Sequence, residues 1–176
     1  TMGQQQLLLL VLGIVIVGIA ILVGINAYSE NSVKSNWDSL LQDGLRIASD
    51  AQAWKAKPEL FGGSPDSLKA DELDFTTLDF LQMSYSSTLV GDGANIANGC
   101  YTNVNGVYDL DADGNGVVIV GTNLSNQNAI RLTVTGGLEE DINLDQTLSI
   151  KGGSDVDGDA IEVLTAFGAE ATCTPS

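Results

Sequence analysis

Histidine is absent from this 176-residue chain, which removes the commonest general base and the commonest transition-metal ligand together. Cations are scarce: seven Lys and Arg stand against 23 Asp and Glu, a formal charge of −16. Clustered Lys and Arg are what phosphate backbones require, so no direct nucleic-acid binding is expected and anionic lipid surfaces should be repelled. Aromatics are few as well, and Tyr28, Trp37, Trp54 and Phe61 fall in an N-terminal helical stretch or at its exit. That leaves too little to line a sugar-stacking cleft around an Asp/Glu pair. No Gly-x-Ser-x-Gly elbow, phosphate loop or His-containing metal motif occurs, and the chain is not expected to be an enzyme.

The most local deficit is one of charge. Residues 1–29 contain no Asp, Glu, Lys or Arg, and Leu7 to Ile25 form an uninterrupted apolar run. Nineteen residues of helix span about 28 Å, close to the roughly 30 Å hydrocarbon core of a bilayer. A signal peptide would show a basic segment ahead of the apolar run, and no Lys or Arg precedes Lys34. Helical periodicity then continues past the run. Val33, Trp37, Leu40, Leu41, Ala48, Ala51 and Trp54 recur at steps of three and four, while Glu30, Lys34, Asp38, Gln42, Asp43, Arg46 and Asp50 fill the other face. Gly44 is the weak point of this amphipathic half. Pro58 marks the stop, giving one helix of about 55 residues and roughly 80 Å. Trp37 and Trp54 sit at core spacing and are assigned to packing.

Beyond the helix, Gly62-Gly63-Ser64-Pro65-Asp66 has turn chemistry and Leu73 to Gln82 reads as short helical or irregular structure. From Cys100 onward, β-branched apolar runs alternate with Gly, Asn and Asp. Strands are predicted at Tyr101 to Leu110, Val117 to Thr122, Ala129 to Thr135, Thr147 to Lys151 and Ala160 to Ala166, close enough together for an antiparallel sheet of hairpins. One face of that sheet should pack on the amphipathic half of the helix and the other should meet solvent or neighbours. The organisation is therefore α+β: an apolar helix over 1–29, its amphipathic continuation over 30–57, a connecting region over 58–99 and a β-rich domain over 100–176. About 150 residues outside the apolar run suffice for one core.

The only cysteines, Cys100 and Cys173, bracket the β-rich domain. In an extracytoplasmic setting they are expected to pair, and closing a loop of this size contributes about 4 kcal/mol in the chain-entropy model. Two acidic clusters carry the remaining chemistry. Asp109, Asp111, Asp113 and Asn115 alternate around Gly114 as calcium ligands do on a tight loop, although the twelfth position counted from Asp109 is Val120 rather than a bidentate Glu. Asp155, Asp157 and Asp159 with Glu162 repeat the theme. Calcium is one reading; the other is that Asp-Gly and Asn-Gly simply make hairpin turns. Asn123-Leu-Ser125 is a glycosylation sequon, and the Thr- and Ser-containing tail 172–176 offers sites for O-linked sugar.

The layout resembles type IV pilins and the related pseudopilins. The resemblance is carried by a chain starting at Thr1 without an initiator Met, an apolar helix within a few residues of that terminus, an amphipathic continuation, and a β-rich region closed by a late cysteine pair. Gly18-Ile-Ala-Ile-Leu-Val-Gly-Ile-Asn-Ala-Tyr28 is similar to the family's apolar segment. Thr1 and Gln5 depart from the family, which has Phe or Met at the first place and Glu at the fifth, and its Pro near the twenty-second residue is missing.

The resemblance implies a subunit held in the cytoplasmic membrane before assembly, then moved into an extracellular filament of identical copies. Leu7, Leu10, Ile14, Gly18, Ile21 and Gly24 would lie in the filament core. It further implies a prepilin peptidase, N-terminal methylation and a pilus assembly machinery as partners, and adhesion or motility as tasks. Two alternatives are a pseudopilin of a secretion system and a monomeric, membrane-anchored calcium-binding domain.

Overall fold

The computed structural model describes residues 2–64, 75–88, 100–112, 114, 116–123, 125–126 and 128–145. A single helix, α1 (Met2–Ala56), runs through the apolar and amphipathic segments without a break. It ends before Pro58, whose ring cannot continue an α-helical hydrogen-bond ladder, and a short 3-10 turn (Glu59–Phe61) follows. That turn closes on Gly62 at φ 78°, the left-handed region that favours glycine.

Six strands follow: β1 (Ser87–Thr88), β2 (Cys100–Thr102), β3 (Val107–Ala112), β4 (Val117–Asn123), β5 (Asn128–Val134) and β6 (Ile142–Leu144). They form one antiparallel sheet in the order β1-β2-β3-β4-β5-β6, so every strand pairs with its neighbour in sequence. The fold is α+β, with α1 lying against the central strands β4 and β5.

The run expected as one strand from Tyr101 to Leu110 is instead two strands and a turn. Asn103 Oδ1 accepts hydrogen bonds from the backbone N–H groups of Asn105 and Gly106, and the chain reverses there. Asn105-Gly106 is a strong hairpin signal that the surrounding apolar residues had masked. The strands β1 and β6 were not anticipated. Both are very short, and three residues or fewer leave no readable alternation. The strands expected at Thr147 to Lys151 and Ala160 to Ala166 lie outside the described residues.

Register explains the core. Tyr108 pairs with Gly121 and Gly121 with Ile130, Leu110 with Ile119 and Ile119 with Leu132, and Ala112 with Val117 and Val117 with Val134. These rows share the face toward α1, where Leu40, Ile47, Ala48, Ala51 and Trp54 are buried against them. Gly44 needs reinterpretation. A Cβ there would sit 2.6 Å from Leu132 Cδ1 and 2.7 Å from Ile130 Cδ1, so the residue expected to weaken the helix lies where helix and sheet approach closely.

The segment assigned as a connector also supplies core: Phe75, Leu78 and Phe80 are fully buried. Nor is the second face of the sheet simply open. Val120 and Ala129 belong to it and are 8% and 7% exposed. The unbroken apolar run Val117-Val118-Ile119-Val120 agrees with burial on both faces of this part of β4.

Candidate functional site

The feature with the greatest chemical consequence is the free half of α1. Every described residue from Met2 to Ser32 is exposed, a length of about 46 Å, and contact with the sheet begins only at Val33. Among the described residues this is one helix long and apolar enough to cross a membrane. Within it Leu7, Leu8, Leu9 and Leu10 are 63–70% exposed, and four successive residues at 100° steps cover almost the whole circumference. The surface is greasy all round rather than striped.

Fifteen large aliphatic side chains between Leu7 and Ile25 are 49–70% exposed. Even at about 1.5 kcal/mol each, leaving them in water would forfeit roughly 20 kcal/mol, more than the 5–15 kcal/mol that usually holds a domain together. By length and composition this helix could cross a membrane. The expected core residues Leu7, Leu10, Ile14, Gly18, Ile21 and Gly24 all lie in it and all are exposed.

The point where the helix meets the domain is fixed by asparagines. Asn128, 2% exposed, donates through Nδ2 to Val33 O and Asn36 Oδ1, both at 2.9 Å. Asn36 Nδ2 donates to Asn105 O at 3.0 Å, and Asn123 Nδ2 donates to the same carbonyl at 2.6 Å. Such amides bridge helix backbone to turn backbone because each carries donors and an acceptor. The sequence reading missed this network, whose only signal was Asn density at the strand ends. It bears on the sequon: the Asn123 side-chain amide is engaged, and Asn123 Oδ1 accepts from Asn126 N–H, so the folded chain does not present that nitrogen freely.

Further along the helix, Asp43 was expected on the solvent face and is instead a hub. Its Oδ2 accepts from Asn105 Nδ2 at 2.7 Å, Asn103 Nδ2 at 2.8 Å and the Tyr108 hydroxyl at 3.1 Å. Burial alone would raise its pKa, but these three donors and the nearby Arg46 outweigh burial and hold it below the ordinary carboxylate value. Burial, then the Asp43 charge and hydrogen bond, push the Tyr108 hydroxyl up.

A second hydroxyl–carboxylate pair joins Tyr85 to Asp50, with the Arg46 guanidinium over the Tyr85 ring. The rings of Tyr85, Tyr101 and Tyr108 follow one another at centroid distances of 4.8 and 5.8 Å. At the far end of the helix, Gln52 Nε2 donates to the carbonyls of Gly136 and Leu138. The supposedly polar face of α1 is thus tied to the domain at three levels.

Of the four candidate calcium residues Asp109, Asp111, Asp113 and Asn115, the first two are described. Asp109 and Asp111 lie inside β3, paired with Val120 and Val118, rather than on a turn. Alternate strand residues share a face, about 7 Å apart. Asp113, Asn115 and the cluster Asp155 to Glu162 lie outside the described residues, and the described ones contain no group of three potential metal-binding carboxylates or thiols. Cys100 is buried at the start of β2, and its expected partner Cys173 also lies outside the described residues.

Burial raises the Asp109 pKa above 3.8 against a backbone hydrogen bond from Leu110, with the Asp111 charge adding to the rise. Ionised Asp109 therefore penalises the fold once pH climbs past the unfolded value, whereas Asp43, with its lowered pKa, stabilises above 3.8 and loses that contribution as pH falls. Asp109→Asn keeps the acceptor for Leu110 N–H and should raise the melting temperature at pH 7, with no gain below pH 3.8. A thermal scan at the two pH values checks this; a loss at pH 7 would mean that the carboxylate is needed, as it would be for a cation.

No family model matches the chain, and no curated protein or solved structure matches it.

Proposed function

We propose that this chain is a structural subunit that polymerises through the free half of α1 into an extracellular, pilus-like filament. The observation that carries the reading is the all-round apolar exposure from Leu7 to Ile25 on a helix whose other half is packed on a folded domain. A bilayer satisfies such a surface, and so does a bundle of identical helices. A two-chain contact does not, because it covers only one side. Gly13 and Gly24 fall within about 20° of each other around the helix and Gly18 falls elsewhere, so close approach is open on more than one side.

In this reading the membrane stores the subunit and assembly exchanges lipid for protein. Lipid tails and Leu side chains are about equally apolar, so packing and polar pairing tip the balance. A contact that is head-to-tail and does not close into a ring generates a helical polymer. The docked domains then form its sheath. All the side-chain charge lies from Glu30 onward, which keeps filaments soluble and mutually repelling.

The layout's resemblance to type IV pilins and pseudopilins agrees with this reading. Electron microscopy of material sheared from cells producing the chain tests it. Thin filaments labelled by an antibody to the domain are expected. Retention of the chain in the membrane fraction as single copies would sink the polymer and leave a plain anchor.

A further inference from the structure

Three of the chain's four tyrosines meet in one row beside α1. The rings of Tyr85 and Tyr101 stand edge to face with centroids 4.8 Å apart, and those of Tyr101 and its cross-strand partner Tyr108 are stacked at 5.8 Å. Tyr108 is fully buried, while Tyr85 and Tyr101 are half-buried. Packing accounts for the ring contacts, and phenylalanine would serve it equally well. It does not account for the hydroxyls. At each end of the row the phenol donates to a carboxylate of α1, Tyr85 to Asp50 and Tyr108 to Asp43.

An oxidised phenol is a strong acid, so a tyrosine loses an electron most easily where a base already holds its proton. The two ends of the row are not equal in this respect. Asp43, whose burial is outweighed by three donors and Arg46, lies below the ordinary carboxylate value and is a poor base. Tyr85 has the Arg46 guanidinium 5.8 Å from its ring centroid, and that charge opposes any positive charge left on the ring. Electron and proton must therefore leave Tyr85 together. Burial first, then the Asp50 hydrogen bond, push the Tyr85 hydroxyl up, which keeps it protonated until the electron goes.

We propose that Tyr85, Tyr101 and Tyr108, with Asp50 as proton acceptor, form a redox site that takes up one oxidising equivalent from a one-electron oxidant such as a peroxyl radical. One electron leaves the row, the Tyr85 hydroxyl proton passes to the Asp50 carboxylate, and the peroxyl radical departs as the peroxide anion. No other bond forms or breaks. Ring contact passes the vacancy along the row, so an oxidation that begins at Tyr101 ends on Tyr85. A one-electron reductant such as ascorbate returns the electron, and Asp50 returns the proton. The row lies wholly within the folded domain, and the site stands whether or not the chain polymerises.

The test uses the full chain in detergent, with the exposed Tyr28 replaced by Phe so that the row holds every remaining tyrosine. Photogenerated tris(bipyridyl)ruthenium(III) is the oxidant, and freeze-quenched electron paramagnetic resonance is the readout. A neutral tyrosyl radical is expected, formed at a rate independent of buffer concentration because the base is built in. Asp50→Asn keeps an acceptor for the Tyr85 hydroxyl but takes no proton at neutral pH, so radical formation should slow by about tenfold or more and should then accelerate with buffer base. Asp50→Glu restores a base and should restore buffer independence. Tyr101→Phe should lower the radical yield, since it removes the phenol between Tyr108 and Tyr85.

A parent signal confined to tryptophan, a parent rate that depends on buffer, or an Asp50→Asn rate equal to the parent's would each overturn the site. A purely structural tie between Tyr85 and Asp50 would shift the melting temperature of the variants and leave their dependence on buffer base like the parent's.

Discussion

Replacing both Leu10 and Ile14 by Asp is expected to abolish filament formation while leaving the domain folded. The two residues are 63% and 65% exposed and lie four apart, one above the other on the same face of α1. Each Asp near the centre of an apolar helix costs about 2.5–3.5 kcal/mol by insertion scales, so the pair imposes roughly 5–7 kcal/mol, or four to five powers of ten in an assembly constant.

The domain should not register the change. Its first contact with the helix is Val33, 19 residues beyond Ile14, and its core runs from Leu40 to Val134. Two readouts separate the effects: filament yield in the sheared fraction should fall to background, and the thermal unfolding midpoint of the domain should stay within a degree or two of the parent. Normal filaments from the double variant would show that this surface is not the core of a polymer. A domain that unfolds would show that α1 is coupled along its whole length, contrary to the exposure of every described residue before Val33.

Much of this architecture was legible because two periodicities are strong. Apolar residues at every position from Leu7 onward, then at three- and four-residue steps to Trp54, predicted the single helix to within a residue of its end at Ala56. Val117 to Thr122 and Ala129 to Thr135 fall almost on β4 and β5, where runs of β-branched residues leave no competing pattern. Pairing and turns were less legible. Asn105-Gly106 was absorbed into a longer strand ending at Leu110, and Asp111 beyond it was placed on a turn because Asp-x-Asp next to Gly resembles one, although its partner Val118 holds it in the ladder.

The polar anchoring was not legible at all. Asp43 and Asp50 occupy helix positions that periodicity assigns to water, and only the three-dimensional approach of Asn103, Asn105, Tyr108 and Tyr85 converts them into ties. Asn128 looks like any strand-end Asn until its amide is found between Val33 and Asn36. Tertiary context decides such cases, and a one-dimensional pattern does not contain it.

Gly44→Leu is expected to be the most damaging single change in the domain. The α1–sheet interface is tight at this position: even a methyl group would lie 2.6 Å from Leu132 Cδ1 and 2.7 Å from Ile130 Cδ1, well inside contact distance. Alanine gains roughly 1 kcal/mol of helix propensity over glycine, and overpacking of about 1–3 kcal/mol opposes it, so Gly44→Ala should be near neutral to mildly destabilising. Leucine adds three further carbons to the same space and must lift α1 off β5. Lifting it also pulls Asp43, the adjacent residue, away from Asn103, Asn105 and Tyr108, leaving partly buried polar groups without partners.

Packing and polar losses then add, and a fall of about 10 °C or more in melting temperature is expected, against little change for Leu45→Ala at the next, 43% exposed residue. Parent-like melting of Gly44→Leu would mean that α1 does not rest on β5 at this point. The consequence for assembly is directional. A helix displaced from β5 no longer holds the domain at a fixed angle to the apolar half, so Gly44→Leu chains that reach a polymer should form disordered sheaths around a normal core, whereas Leu10 and Ile14 substitutions remove the core itself.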